Sequence, residues 1–145
     1  QWNFIWRERH AKKVQIHVFR RIERQRPPLF LALQRTPDRN SLWQPVTGKV
    51  EEGEEFDEAA QRELFEETGL APSGIFASVG EVRFTKGDQQ VVEKIFACEV
   101  GKDHVRMSSE HSAYEWLPAE KAREKFYYES NRYGLDLVLE ELKKL

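Results

Sequence analysis

Carboxylates crowd one short stretch of this chain, and they are the side chains best suited to chemistry. The segment from Glu51 to Glu67 holds nine acidic residues and one basic residue, Arg62. The whole chain has 25 acidic and 23 basic residues, so 16 acids and 22 bases lie outside the segment. Negative charge is therefore concentrated here, while a surplus of six positive charges is spread over the rest.

The second part of the acidic segment has the pattern of a helix that begins near Glu55 and ends at Gly69, a glycine suited to a helix C-terminus. At about 100° per residue, one apolar stripe is formed by Phe56, Ala59, Ala60 and Leu64. Glu63 and Glu67 fall inside this stripe, and Glu66 lies on its flank. The i, i+3 and i+4 spacings therefore bring three carboxylates together on one face.

A divalent cation is the partner that this geometry favours. Like charges at i, i+4, as at Glu63 and Glu67, cost about 0.2–0.5 kcal/mol per pair, and unpaired carboxylates that face a core cost far more. The helix contains no lysine that could neutralise them. Oxygen ligands with room for water and phosphate suit Mg²⁺, with Mn²⁺ as a substitute. The alternative interpretation is a solvated acidic surface.

The spacing of these residues resembles the Nudix box at every defining position. The order is Gly48, five residues, Glu54, seven residues, Arg62-Glu63-Leu64, one residue, Glu66-Glu67, one residue and Gly69-Leu70. The resemblance implies an α/β Nudix fold, with a mixed β-sheet sandwiched between α-helices, in a single domain over residues 1–145. It also implies a metal-dependent hydrolase of phosphoric anhydride bonds.

The resemblance also implies roles for the residues of the box. Glu63, Glu66 and Glu67 would ligate metal, Glu66 and Glu67 being counted among the catalytic residues as well. Gly48 would add a backbone carbonyl ligand, because a glycine lets the loop approach closely.

Three further positions of the box would shape the loop and the helix. Arg62, also counted as catalytic, would pair with Glu54 and hold the loop against the helix. Gly53 would allow the tight turn before the helix, and Gly69 would end it.

A catalytic base is expected outside the box. Glu110, in "SSEHSAYEWLP", occupies a loop before the last strand, where several Nudix branches carry a glutamate that serves as base or extra ligand; an exposed loop glutamate is the alternative. His111 is interpreted as part of the loop structure. His10, His17 and His104 lack metal-ligand spacing, and we assign them no role.

Substrate contacts are predicted from residue type alone. Arg35 and Lys49 are candidates for binding phosphate, with a solvated cation as the alternative for each. Trp43 and Phe84 could stack on a flat base or pterin, although aromatic residues pack more often in a core.

Three short motifs resemble the bacterial dihydroneopterin triphosphate and dATP pyrophosphohydrolase branch: "WQPVTGKVEEGE", "EHSAYEWLP" and "SNR". The stretch "EVRFTKG" lacks the proline typical of ADP-ribose enzymes and the tyrosine typical of diadenosine polyphosphate enzymes. The predicted reaction is thus cleavage of a nucleoside or pterin triphosphate to monophosphate and pyrophosphate. The alternatives are another Nudix substrate (ADP-ribose, a dinucleoside polyphosphate, an oxidised purine triphosphate or capped RNA) or a nucleotide-sensing module without catalysis.

The elements that must position these residues follow from periodicity. Strands are predicted at 14–20, 29–35, 75–85, 90–100 and 113–118, the first of them half-buried. Helices are predicted at 118–126 and 130–145, the latter with Ser130 as its N-cap.

Composition limits the remaining possibilities. Hydrophobic residues make up 39% and aromatic residues 12% of the chain, enough for a folded core. Cys98 is predicted to be a buried structural thiol, and a reducing, cytoplasmic compartment is expected. The expected partner is a small nucleotide or a similar polyphosphate, without a membrane and without the basic, aromatic channel of a single-stranded RNA binder. Monomer and homodimer both stay open.

Overall fold

The computed structural model describes residues 10–23 and 25–145, and the aromatic, basic stretch 1–9, for which the sequence predicts no role, lies outside them. The described strands are β1 (His10–Arg20), β2 (Leu29–Arg35), β3 (Trp43–Gln44), β4 (Val46–Lys49), β5 (Phe76–Lys86), β6 (Gln89–Glu99) and β7 (His111–Pro118). The described helices are α1 (Phe56–Thr68), α2 (Ala119–Lys125) and α3 (Glu129–Lys143), with a 3-10 turn at Pro37–Arg39. None of these helices is long and apolar enough to span a bilayer.

These strands form one mixed sheet in the order β3-β2-β1-β6-β5, with β4 paired to β1 and β7 paired to β2. The central pair, β1 and β6, is parallel over ten residue pairs, and the other pairs are antiparallel. The β5–β6 hairpin turns at Gly87, whose φ of 63° suits a tight turn.

The core has two layers, one on each face of the sheet. On one face, α1 contributes Ala59, Ala60 and Leu64 to a cluster with Ile16 and Phe96. On the other face, the residues from α2, α3 and the sheet that form the second cluster include Phe19, Phe30, Ala122, Phe126, Leu135 and Val138. The predicted α/β arrangement, a mixed sheet between helices, is confirmed. Cys98 is buried, as predicted, and burial raises the pKa of its thiol to about 12.

Strand β1 differs from its prediction, because it is buried on both faces. Its alternating pattern predicts one wet face, yet every residue from Val14 to Phe19 is buried. Val14 and Ile16 face α1, whereas α3 covers the polar Gln15 and His17. The prediction of a half-buried strand was therefore wrong, since Gln15 forms hydrogen bonds with His17, Glu93 and the carbonyl of Ser130 inside the protein.

Two predicted boundaries also need correction. Helix α3 begins at Glu129 with Tyr128 as its N-cap, so Ser130 lies in the first turn and is not the cap. Its carbonyl instead accepts a hydrogen bond from the Gln15 side chain at 3.3 Å. Strand β7 begins at His111, two residues before the predicted start, which takes this histidine out of the loop and into the sheet.

Candidate active site

Helix α1 carries the acidic face, and its ends explain part of its charge. The backbone N–H of Glu55 donates to the Glu58 carboxylate at 2.9 Å, a reciprocal cap that suits an acidic first turn. Gly69 ends the helix with φ 73° and donates its N–H to the carbonyl of Phe65. The carboxylates at the N-terminus therefore stabilise the helix, and those of its last two turns remain for chemistry.

Arg62 joins the preceding loop to the helix. Its guanidinium donates to both oxygens of Glu54, at 2.6 and 2.9 Å, and to the carbonyl of Lys49 at 2.9 Å. It also donates to Glu63 at 2.8 Å and to Glu66 at 3.2 Å. The hydrogen bonds from Arg62 lower the pKa of Glu54 to about 2. The structure thus brings together the predicted Arg62 and Glu54 pair.

Glu67 is the buried centre of the acidic face, with 3% of its surface exposed. Burial, and after it the neighbouring carboxyls of Glu63 and Glu110, raise the pKa of Glu67 to about 10. Glu63 lies against the loop at Gly48, where a Cβ on the glycine would overlap the Glu63 side chain. The close approach expected at Gly48 is therefore present, and the three carboxylates of Glu63, Glu67 and Glu110 converge.

His111 is the residue that sequence reasoning missed. Its Nε2 lies 3.5 Å from Glu67 Oε1, and its side chain is almost fully buried. Among the described residues, neither ring nitrogen of His111 has a hydrogen-bond partner, nor does Glu67 Oε2. The signal available in the sequence was its position directly after Glu110 at the start of an alternating strand.

This cluster fits a divalent cation. Donor atoms of Glu67, Glu110 and His111 lie within 4.8 Å of one another. Buried oxygen and nitrogen atoms without hydrogen-bond partners are costly unless a cation or water satisfies them. The carboxylate oxygens suit Mg²⁺ or Mn²⁺, whereas the imidazole is a donor that later transition metals such as Zn²⁺ prefer. Glu66 sits at the outer side, with 57% of its side chain exposed.

A cavity of about 860 Å³ lies on the α3 side of the sheet. Arg35 and Phe84, both predicted to bind substrate, line it, as does Thr47 next to Gly48. Arg35 also lies near enough to Glu67 for its charge to favour the ionised carboxylate. Arg35 therefore links the cavity to the carboxylate cluster.

Two residues predicted to contact substrate, Trp43 and Lys49, do not line this cavity. Trp43 is not among the residues that line this cavity; it packs against the second core cluster, with Lys125 Nζ 4.1 Å from its ring centroid. Lys49 is also absent from the cavity lining, and its side chain is exposed. Trp43 thus has the packing contacts of its alternative, and the Lys49 carbonyl accepts from Arg62 while its side chain is exposed. Substrate contact by either residue stays a prediction.

Comparison of the sequence with known proteins finds one matching family and several relatives. A family model described as "NUDIX domain" matches residues 11–137. The chain is 31% identical over 121 residues to the dihydroneopterin triphosphate diphosphatase of Escherichia coli K12, covering 73% of this chain and 79% of that protein. It is 36% identical over 99 residues to the asymmetrical bis(5'-nucleosyl)-tetraphosphatase of Mus musculus, covering 64% of this chain and 66% of that protein.

Two further similarities differ in how much of the other protein they cover. An octanoyltransferase of Myxococcus xanthus is 37% identical over 107 residues, which is 70% of this chain but only 30% of that protein. The chain therefore covers 30% of the length of this relative and 66% of the length of the mouse tetraphosphatase. The crystal structure of a C. elegans Ap4A hydrolase binary complex superposes with a TM-score of 0.79 at 22% identity, covering 93% of this chain and 99% of that one.

Proposed function

The chain belongs to the NUDIX domain family, and from that premise we propose that it is a divalent-metal-dependent pyrophosphohydrolase of nucleoside or pterin triphosphates. The observation that carries the proposal is the buried Glu67 carboxyl, which faces Glu63 and Glu110 beside an 860 Å³ cavity. Converging carboxylates of this kind are stable together only with a shared proton or a cation.

The residues divide the work in the following way. Glu63, Glu66, Glu67 and the carbonyl of Gly48 would hold Mg²⁺, with His111 as a further donor beside Glu67. Arg62 keeps the loop and helix in register for them. A bound cation supplies neutralisation of the phosphate oxygens and a more acidic water ligand. Glu110 stands exposed at the open side of the cluster, where a general base can take the proton of the attacking water.

Arg35 completes the phosphate site. It lies between the cluster and the cavity, so its guanidinium can pair with phosphate oxygens while the heterocycle occupies the cavity. Water attacks the α-phosphorus and expels pyrophosphate, or attacks the β-phosphorus and expels the monophosphate. In both cases the α–β bridging P–O bond breaks, the leaving group keeps the bridging oxygen, and the phosphorus under attack keeps the water oxygen. A cavity of about 860 Å³ has the size of a small-molecule site, so the proposed partner is one nucleotide-like molecule.

Hydrolysis in heavy-oxygen water tests the reaction. Nucleoside triphosphates are incubated with Mg²⁺, and the products are weighed by mass spectrometry. We expect a monophosphate and pyrophosphate, one of which carries a single heavy oxygen. Orthophosphate released together with a nucleoside diphosphate would contradict the proposal. Glu67→Gln should lower kcat by orders of magnitude, whereas Asp57→Asn, on the exposed first turn of the same helix, should retain activity.

A second candidate substrate is a dinucleoside tetraphosphate. The 36% identity to the mouse asymmetrical tetraphosphatase favours it, and aromatic side chains at the cavity, Phe84, Tyr128 and Tyr133, could stack on a second base. A competition assay with diadenosine tetraphosphate, GTP and ATP separates the two candidates. The true substrate class should have the higher kcat/KM.

A further inference from the structure

A chain of buried polar side chains lies under the floor of the cavity. His17 Nε2 is 2.6 Å from Gln15 Oε1, and Gln15 Nε2 donates to Glu93 Oε1 at 2.8 Å. His17, Gln15 and Glu93 are each at most 4% exposed. Glu93 is the member that lines the cavity. This row of hydrogen-bonded side chains thus runs from His17, in the second core layer, to the Glu93 carboxylate at the cavity.

The direction of these hydrogen bonds is fixed. Burial lowers the pKa of His17 to about 3, so the ring is neutral and has a single N–H. The carbonyl oxygen of Gln15 can only accept, so Nε2 of His17 carries the proton. The Gln15 amide is then held with its NH₂ group towards Glu93 and the carbonyl of Ser130. Glu93 therefore ends the chain as an acceptor.

Helix α3 is fitted to this chain. A Cβ on Gly134 would collide with Gln15 Oε1 and would lie 2.8 Å from His17 Nε2. Glycine inside a helix is unfavourable relative to alanine, yet no larger residue leaves room for the polar contacts. Two apolar side chains in place of Gln15 and His17 would make no hydrogen bonds here and would not require a glycine at position 134 for that purpose. The polar chain is thus a built feature that orients Glu93.

Lys13 stands beside Glu93 at the cavity. The two residues are register partners on the parallel strands β1 and β6, and both line the cavity. Neighbouring strands lie about 4.8 Å apart, close to the width of one base edge. A charged lysine only donates hydrogen bonds, and an ionised glutamate only accepts them. Burial lowers the pKa of Lys13 and raises that of Glu93, while the charge of each residue favours the ionised form of the other. The floor of the cavity therefore offers a donor next to an acceptor.

We propose that Lys13 and Glu93 select the heterocycle of the substrate and favour the 2-amino-4-oxopyrimidine edge that guanine and pterins share. On that edge a carbonyl is followed by a ring N–H and an amino group, so Lys13 would donate to the carbonyl and Glu93 would accept from the two nitrogens. Adenine presents an amino group and then a ring acceptor, which opposes both residues. The proposal rests on the proposed triphosphate hydrolysis and names its substrate class.

Comparing three purine triphosphates tests this selection. We expect kcat/KM to be higher for GTP than for ATP by roughly tenfold to a hundredfold, the range for a bidentate base contact. ITP, which lacks the amino group, should fall between them. Equal values for GTP and ATP would overturn the proposal.

Variants locate the effect. Glu93→Gln places an amide donor where the carboxylate stood, so the ratio of GTP to ATP should fall by about tenfold or more. Lys13→Met should lower the same ratio through the carbonyl contact. Glu124→Gln, on the exposed face of α2, is the matched control and should leave the ratio unchanged. A ratio that Glu93→Gln does not move would overturn the assignment of Glu93. Circular dichroism and thermal unfolding of each variant check that it folds.

Equilibrium binding separates this proposal from the proposed reaction. Titration calorimetry with GMP, IMP and AMP measures selection without turnover. Absence of hydrolysis with every triphosphate, together with tighter binding of GMP than of AMP, would remove the reaction and keep the selection. Hydrolysis without any preference between GMP and AMP would keep the reaction and remove the selection.

Discussion

All five N–H donors of Arg62 are used, which is unusual for a side chain that is still 23% exposed. The fork geometry of a guanidinium allows it to bind Glu54 with two hydrogen bonds and still reach a loop carbonyl. A lysine has three donors on a single nitrogen and cannot span these partners. One arginine therefore joins the loop to the helix and holds two helix carboxylates, the converging Glu63 and the outer Glu66.

Replacing this arginine tests that role. Arg62→Lys should lower the free energy of unfolding by about 1–3 kcal/mol, because several hydrogen bonds to charged groups are lost. Urea unfolding in EDTA measures it without metal. Arg123→Lys is the matched control, since Arg123 makes two hydrogen bonds with Asp136 on the surface. Arg123→Lys should lower the free energy of unfolding by no more than about 1 kcal/mol. An equal decrease for Arg62→Lys and Arg123→Lys would contradict the proposed role of Arg62 in joining the loop to the helix.

Glu67 should trade stability for function. Burial, followed by the neighbouring carboxyls, raises its pKa from the usual 4.5 to about 10 in the folded protein. The stability associated with its protonated form is therefore complete below pH 4.5 and is lost as the pH rises towards 10. Glu67→Gln should raise Tm in EDTA at pH 8 by a few degrees, since about 1 kcal/mol corresponds to roughly 2–4 °C in a chain of this size.

Calorimetric scans across pH check this expectation. The gain in Tm from Glu67→Gln should shrink as the pH falls to 4.5 and below, because the wild-type carboxyl then becomes neutral in both the folded and the unfolded state. Added Mg²⁺ should stabilise the wild type and not the variant. A variant that is less stable than the wild type at pH 8 in EDTA would show that Glu67 is not strained by burial.

At the scale of the elements, local patterns predicted helix α1 well and strand β1 poorly. The apolar stripe, the acidic first turn and Gly69 all lie within α1 itself, so its bounds followed from the sequence to within one residue. The burial of Gln15 and His17 depends on α3, more than 110 residues along the chain. Likewise, His111 on β7 contacts Glu67 on α1, and its role depends on this contact. Contacts between distant segments leave no periodic signal.

Gly134 offers a test of this coupling between elements. Gly134→Ala gains helix propensity of about 1 kcal/mol, but its Cβ must displace Gln15 and the buried polar chain. We expect a net loss of about 1–3 kcal/mol, as for other overpacked sites. Gly101→Ala is the control, because the nearest atom to its Cβ would be Ser73 Oγ at 3.4 Å. Chemical denaturation of both variants gives the comparison, and stabilisation by Gly134→Ala would refute the coupling.

At the scale of the whole molecule, charge is divided between two surfaces. The acidic segment carries the carboxylates that are proposed to hold the cation, whereas the remaining chain carries 22 basic and 16 acidic residues. The basic residues that line the cavity are Lys13, Arg35, Arg39, Arg83 and Lys86, against the acids Asp38, Glu93 and Glu129. A polyphosphate bound as proposed would therefore meet positive charge at the cavity and the carboxylates proposed to hold the cation beside it. The overall charge of −2 hides this division.

This division predicts how the rate depends on salt. Electrostatic attraction of a polyanion weakens as the Debye length falls from about 30 Å at 0.01 M to about 8 Å at 0.15 M ionic strength. We expect kcat/KM for a triphosphate to fall several-fold over this range while kcat changes little. Lys86→Gln, at the cavity, should lower kcat/KM at low salt and reduce the dependence, because one attracting charge is gone. Lys102→Gln, exposed and outside the cavity lining, should do neither. Stopped-flow assays with excess Mg²⁺ at constant pH make the measurement, and equal salt slopes for the wild type and Lys86→Gln would show that the cavity cations do not attract the substrate.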